Sequence, residues 1–401
     1  MGDRRSAVLS DGSIGWEYQY RVARCNRDTQ ASPEVFRSPD GSRAEFRNVY
    51  TCGSVWHCPV CAPKVAARRR DELSAALAVW SQAGGDVWLL TYTHSHARDD
   101  RTLAEQDALL RKAYSRLTGS RAYRSIMERA FAAGAIRATE VTHGQFNGWH
   151  PHIHVLLFTA PGQGAALKRI RKLWVRVLLK VGLHTIRRGA TRVERLRKVR
   201  EMMRHAFDMR PGQYAAEYVA KFGDEPATRS GRWGLGSEVT QGHTKRGADR
   251  LNGRTPMRLL ADAADGDRQA WALFREYAIV MHGRRQLYWS PGLRARLIAL
   301  AESARQPDLF ANRRWLMLLT RVDDDEVIAA QADRRCTERV GVISLDDWRV
   351  VLSRRGRGLV LECARWATAA ELRAVIDILR ERPPDELAEF VAEEAFWRKA
   401  A

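Results

Sequence analysis

GWHPHIHVLLF, residues 148–158, sets histidines at 150, 152 and 154 and then runs directly into Val155, Leu156, Leu157 and Phe158. Successive side chains of a β-strand point to opposite faces, so residues two apart share one. His150, His152 and His154 therefore point the same way, while Ile153 and Val155 face a core. Upstream, Ile136 to His143 is a second β-rich run, and GQFNG between the two supplies turn residues, which makes the pair a hairpin. Centred on Phe146, the hairpin brings Glu140 opposite His152 and Thr142 opposite His150, placing a carboxylate on the histidine face. A Glu-His-His set mixes oxygen and nitrogen donors and leaves coordination positions open, which suits Mn²⁺ or Mg²⁺ better than a closed zinc site. Register carries this reading, because a slip of one residue sends Glu140 to the other face.

Around the hairpin the pattern is mixed helix and strand. Val87 to His96 (VWLLTYTHSH) reads as a buried strand with a polar end holding Thr91, Thr93, His94 and His96. Thr102 and Glu105 form a capping box ahead of a helix carrying Leu109, Leu110, Tyr114 and Leu117, and a second helix covers roughly residues 120–133. A helix over about 63–82 follows Pro63 and stops at Gly84-Gly85. Ile170, Leu173, Trp174, Val177 and Leu178 mark an amphipathic helix, and Pro211 is expected to open another, PGQYAAEYVAKF. Residues 223–255 turn rich in Gly, Arg and Ser and read as a linker or an extended basic segment. Beyond them the expectation is helical: Thr255 capping Pro256 onward, then 271–280, 369–379 and 385–397.

The charge balance points to a polyanion. Lys+Arg 67 against Asp+Glu 47 leaves a formal net charge of +20, which folding does not require. Residues 168–200 alone hold thirteen Lys or Arg and one acid, Glu194, and phosphate contact is the economical use of such a run. Nucleic acid is the leading partner. Residues 1–19 lack the apolar core of a signal peptide, and no stretch is long and apolar enough to span a membrane, so a cytoplasmic protein is expected.

In a reducing compartment six cysteines argue for metal rather than disulfides. Cys58-Pro-Val-Cys61 has zinc-knuckle spacing, and Cys52 is near enough to be a third ligand of a structural Zn²⁺. Cys25 is one candidate for the fourth and His57 the other. Such a site ties down a polar segment that has little core of its own. Cys336 and Cys363 sit in helical context and read as ordinary buried thiols.

A metal site beside a basic surface suggests phosphodiester chemistry and calls for a nucleophile. YAAEYVAKF puts Tyr214, Tyr218 and Lys221 on one helical face. A phenol with a pKa of about 10 is a weak nucleophile by itself, and a polarised phosphate with a nearby ammonium makes its attack feasible.

Taken together, HPHIH, EYVAKF with its Tyr-x-x-Lys core and the upstream LLTYTHSH resemble the motifs of HUH endonucleases, and within them the replication initiator (Rep) proteins of actinobacterial rolling-circle plasmids. The stretches CGSVWHCPVCAPKVAARRRDEL, EVTHGQFNGWHPHIHVLLF, GRTPMRLLADAADGD and GRRQLYWSPGLR extend the resemblance over about residues 20–297. It implies an α+β fold of the HUH kind: a central antiparallel sheet flanked by helices, with the histidine strand in the middle and the tyrosine helix beside it. Residues 20–85 would be the zinc-binding segment and its helix, 86–225 the endonuclease domain, and 226–401 a basic linker with a helical C-terminal region. By the same resemblance His152 and His154 are the metal-binding pair, Tyr218 the nucleophile and Lys221 the lysine that follows it, with Glu140 in the position reached from the register and His150 ahead of the pair. Relatives with YVAKY carry a second tyrosine where this chain has Phe222, so the group that ends a replication round is Tyr214 or Glu217 activating water. The implied activity is nicking of one strand at a plasmid origin through a 5′-phosphotyrosyl link and a free 3′-OH primer, followed by rejoining of the displaced strand. Single-stranded and duplex origin DNA, a host helicase and a polymerase are the implied partners, with no role for a membrane. A transposase or mobilisation relaxase on the same fold is the alternative enzyme, and a zinc-stabilised DNA-binding regulator the non-catalytic one.

Overall fold

In the computed structural model the described residues are 3–8, 14–19, 21–94, 101–144, 147–183, 189–212, 253–303, 336–351, 357, 360–361, 363–365 and 367–381. In chain order they form β1 (Asp3–Val8), β2 (Ile14–Gln19), α1 (Arg21–Arg24), β3 (Thr29–Arg37), β4 (Ala44–Val49), α2 (Cys61–Gln82), β5 (Asp86–Tyr92), α3 (Leu103–Thr118) and α4 (Arg121–Arg129). There follow β6 (Gly134–Gly144), β7 (Gly148–Thr159), α5 (Gly164–Leu167), α6 (Arg169–Val181), α7 (Arg192–His205) and β8 (Phe207–Pro211). The remainder comprises α8 (Pro256–Ala264), α9 (Arg268–Met281), β9 (Leu287–Trp289), α10 (Leu293–Ser303), β10 (Glu338–Val342), α11 (Leu345–Val351) and α12 (Ala369–Glu381). The chain divides into two units, residues 55–323 and residues 1–54 with 324–401.

The larger unit is built on an antiparallel sheet of strand order β8-β5-β7-β6-β9. The histidine strand β7 is therefore central. Its apolar run lacks alternation because both faces are covered, as in any strand buried on two sides. On the histidine side Leu156 and Phe158 join Val87, Leu89, Ile136 and Leu287 in one core with Leu73 and Leu77 of α2 and Leu293 and Leu297 of α10. On the other side Ile153, Val155 and Leu157 meet Leu90 and Tyr92 of β5, Leu110 and Leu117 of α3, Tyr123 and Ile126 of α4, and Trp174 and Leu178 of α6. Trp174 is fully buried, and removing a ring of that size from such a core costs about 3–5 kcal/mol. Helix α2 after the cysteines and α10 after residue 285 thus complete the same core as the sheet.

Local signals place most helix starts. Thr102 makes both hydrogen bonds of a capping box with Glu105, and Thr191 does the same with Glu194. Thr255 caps α8 ahead of Pro256 at the first helical position. At the far end of α6, Gly182 adopts φ +78°, the left-handed turn that stops a helix and that glycine reaches without a Cβ penalty.

Pro211 ends β8, an edge strand paired with β5, with Trp88 opposite Pro211 and Tyr92 opposite Phe207. An edge tolerates proline because its missing N–H faces no partner strand. Gly212 directly after it is helical, and the rest of the helix expected from Pro211 onward lies outside the described residues. One expectation about this unit changes: the region beyond residue 255 is not wholly helical, since β9 pairs with β6 through Ala138 and Leu287 and becomes the opposite edge of the sheet.

In the smaller unit β1 pairs with β2, and a separate sheet has the order β10-β3-β4. The polar stretch 27–47 therefore holds two strands, and the C-terminal region supplies a third: Val342 of β10 lies opposite Glu34 of β3. Val35, Phe46, Val340, Trp348, Leu372 and Ile376 form the core of this unit. The indole of Trp348 donates to the carbonyl of Arg27 at 2.9 Å. Cys363 is helical and buried, whereas Cys336 is buried in the link just before β10 and not in a helix. The linker at 223–252 and the helix anticipated over 385–397 lie outside the described residues.

Candidate functional site

The turn between β6 and β7 fixes everything that follows. Gly144 lies opposite Gly148, so Thr142 faces His150, Glu140 faces His152 and Ala138 faces His154. Gly148 takes φ +71°, a turn conformation that glycine supplies at low cost. Glu140 is thus on the histidine face, in the register that the hairpin pattern gives.

There the side chains form a connected polar row in an otherwise apolar core. His154 Nε2 lies 2.9 Å from Glu140 Oε2, with both groups buried. On the other edge of the ring Thr91 of β5, directly opposite His154 in the ladder, sets its hydroxyl 3.1 Å from Nδ1. The carboxylate accepts from the Nε2 side of the ring, and the Thr91 hydroxyl, which can donate or accept, bonds the Nδ1 side. His150 is held in the same way: its Nε2 is 3.0 Å from the carbonyl of His94 and 3.1 Å from Thr93 Oγ1. The indole of Trp174 donates to the carbonyl of Thr93 at 2.8 Å, tying this corner to the helical layer.

His152 differs from its neighbours. It is only half-buried, with its ring centroid 4.1 Å from that of His150 and 6.0 Å from that of His154. The structure therefore brings Glu140 and His154 into direct contact and leaves the His152 ring beside them. Fully buried Tyr277 of α9 is nearby: burial first, and then the Glu140 charge, push its phenol well above the ordinary value, so it stays neutral. At the hairpin tip His143 is shifted the other way, below the ordinary histidine value, by burial and then by Arg254. The backbones of His143 and Arg254 exchange hydrogen bonds of 2.9 and 2.7 Å.

A two-residue alternation in the sequence reveals the histidines and Glu140. The supports Thr91, Thr93, Trp174 and Tyr277 come from β5, the residue just after it, α6 and α9, and pairing between strands that are not neighbours in the chain leaves no local signal. Tyr214, Glu217, Tyr218, Lys221 and Phe222 lie outside the described residues.

The cysteines gather elsewhere. The sulfurs of Cys25, Cys52, Cys58 and Cys61 all lie within 4.8 Å of one another, and all four residues are buried. Cys25 is thus the fourth member of the group rather than His57, whose ring stacks with that of His282 at 6.1 Å. Backbone N–H groups point at the sulfurs: Cys52 at Cys25 Sγ (3.4 Å), Ser54 at Cys52 Sγ (3.5 Å) and Cys61 at Cys58 Sγ (3.3 Å). Such donors favour thiolates over thiols. Gly53, at φ +67°, makes the turn that lets Ser54 reach back. Tetrahedral zinc with Zn–S of about 2.3 Å would set the sulfurs about 3.8 Å apart, within the spread found here. The buried Cys₄ group is able to bind a metal such as zinc. Among the described residues it is the set of three or more candidate ligands that converge this closely.

A family model described as Replication protein (Rep_1) matches residues 43–176, which include the cysteine loop and the histidine hairpin. The chain is 31% identical over 373 residues to the protein Rep of Streptomyces lividans, across 79% of this chain and 75% of the relative. This chain belongs to the Rep family of plasmid replication initiators. A shorter match, 36% identical over 146 residues, covers 31% of this Rep protein and 33% of a protein named for neomycin resistance in Streptomyces cyanogenus. No solved structure matches the chain significantly. Among the described residues of this Rep protein no helix is long and apolar enough to cross a membrane.

Proposed function

We propose that this Rep protein nicks one strand of its plasmid origin, with Tyr218 as nucleophile and a divalent cation, Mn²⁺ or Mg²⁺, held by Glu140, His152 and His154. The observation that carries the reading is the 2.9 Å approach of His154 Nε2 to Glu140 Oε2 on the central strand of a replication protein. Two adjacent donors at about 2.1 Å from one ion stand about 3 Å apart, so the pair is spaced as two ligands of a single cation. With Nε2 as ligand, Nδ1 carries the proton and donates to Thr91, the outer hydrogen bond that orients a ligating histidine. His152, whose half-buried ring lies beside the pair, would supply the third donor. When bound, the cation supplies Lewis-acid polarisation of the scissile phosphate.

The covalent step follows from the resemblance. The Tyr218 oxygen bonds to phosphorus as the P–O3′ bond breaks, and the phenolic proton ends, net, on the leaving 3′-oxygen. The 5′-phosphotyrosyl link keeps the bond energy, the 3′-OH primes synthesis, and the reverse transfer rejoins the displaced strand. Lys221 would offset charge on the phosphate, and Tyr214, or Glu217 activating water, would serve the final transfer that Phe222 cannot. A Zn²⁺ on Cys25, Cys52, Cys58 and Cys61 would hold the cysteine segment in shape.

Denaturing electrophoresis after incubation with labelled single-stranded origin DNA and Mn²⁺ tests this reading. A labelled band whose peptide maps to Tyr218, and which is lost in Tyr218→Phe, is the expected result. An adduct of normal yield in that variant moves the nucleophile to Tyr214, and intact DNA with no adduct leaves a binding protein without this chemistry.

A further inference from the structure

Helix α7 is the least enclosed helix around the sheet. Each residue from Thr191 to Arg197 is exposed, and Val199, Met202 and Met203 alone bring its second half against the core. Opposite that contact, Val193, Arg197, Arg200 and Arg204 fall at i, i+4, i+7 and i+11, a single face of a 3.6-residue helix. Val193 is 75% exposed and its neighbour Leu196 48%, an arrangement that costs solvation unless something covers it.

Among the described residues the charges on this face are uncompensated. Glu194 is engaged with Thr191 in the capping box, and Glu201 pairs with Lys198 at 3.2 Å. Arg197, Arg200 and Arg204 make no ion pair or hydrogen bond among the described residues. Beside α7, helix α6 turns Lys172, Arg176 and Lys180 outward on the side away from buried Ile170, Trp174 and Leu178.

We propose that α7 enters the major groove of duplex DNA with its Val193–Arg204 face, while the α6 cations hold adjoining phosphates. This rests on the reading that the protein acts at an origin and adds which element recognises the duplex there. A helix is the width that the major groove admits, and from Val193 to Arg204 it spans about 16 Å, roughly five base-pair steps. Arginine matches the paired acceptors of guanine, and exposed valine and leucine match the thymine methyl group. A single strand is the poorer occupant, because it is gripped by stacking on large aromatic side chains and α7 carries no Phe, Tyr or Trp.

The test uses the full chain and a pool of duplex oligonucleotides with a randomised core, selected by binding and measured at one fixed salt concentration. A base motif should emerge, and Arg197→Ala and Arg200→Ala should each bind it about tenfold to a hundredfold more weakly and lose preference at one position. Arg176→Ala should weaken all duplexes alike. Arg197→Lys keeps the charge but not the fork, so it should keep part of the affinity and lose the base preference. No motif from the pool, wild-type binding by the alanine variants, or full base preference in Arg197→Lys would each overturn the proposal. Covalent attachment of the unaltered chain to a labelled single-stranded pool reads the nickase separately: a missing adduct with an arginine-dependent duplex motif would reject Tyr218 chemistry and keep α7 as the reader.

Discussion

Replacing Glu140 by glutamine separates the two roles that the site gives this side chain. In the fold, Glu140 accepts a hydrogen bond from His154 Nε2 at 2.9 Å. The glutamine amide oxygen can accept the same bond, so stability falls only by the difference between a charge-assisted and a neutral hydrogen bond, about 1 kcal/mol. For a unit of this size that lowers Tm by about 2–4 °C. Toward a cation the loss is larger, because an anionic ligand becomes a neutral one. At Mn²⁺ a hundredfold above its Kd the parent chain should gain about 2.7 kcal/mol, or roughly 5–10 °C in Tm. If the substitution weakens affinity about a hundredfold, the gain at the same concentration shrinks to about 0.4 kcal/mol, close to 1 °C. Thermal unfolding with and without Mn²⁺ reads this without any activity assay, and strand cleavage should fall alongside. Glu140→Ala should instead destabilise the apo protein by about 1–3 kcal/mol, since it leaves the buried His154 N–H without its acceptor. A glutamine variant that Mn²⁺ stabilises as fully as the parent would refute the assignment of Glu140 as a ligand.

Thr91→Val removes the hydroxyl facing His154 Nδ1 while keeping the β-branched shape; it should leave the unfolding free energy within about 1–2 kcal/mol of the parent and weaken Mn²⁺ binding about 10–100-fold, measured by titration calorimetry. Metal analysis of the purified chain should find about one zinc per molecule, and Cys58→Ser should lower both that content and the melting temperature. His143 is held below the ordinary histidine value in the fold by burial and Arg254, so above about pH 6.5 it is neutral in both states and contributes no pH dependence. Below that value the unfolded chain takes up a proton that the folded chain resists, so stability should fall with pH until the folded group also titrates; His143→Gln should flatten this limb in melts from pH 8 to 5. Trp174→Phe, which keeps an aromatic ring but loses the N–H donated to the Thr93 carbonyl and part of the buried ring volume, should cost about 1–3 kcal/mol in denaturant unfolding.

Several features were legible in the sequence because their causes are local. Histidines at every second position can only share a face of a strand, and a short turn rich in Gly and Asn fixes the opposite strand to within one residue, so Glu140 and His152 could be paired by counting. The capping boxes at Thr102 and Thr191 and the proline after Thr255 depend on contacts within a turn of helix. Only the tertiary structure decided how distant strands are ordered around β7: β5 lies beside it, and β8 and β9 form the edges against β5 and β6, through burial shared over long separations, and the three-residue β9 is too short to show a period. For the same reason Thr91 and Tyr277 beside the Glu140–His154 pair, Cys25 rather than His57 beside the other thiols, and β10 alongside β3 had no signature in their own neighbourhoods. Side-chain periodicity states which way a residue points, whereas packing free energy, summed over the whole chain, determines what it meets there.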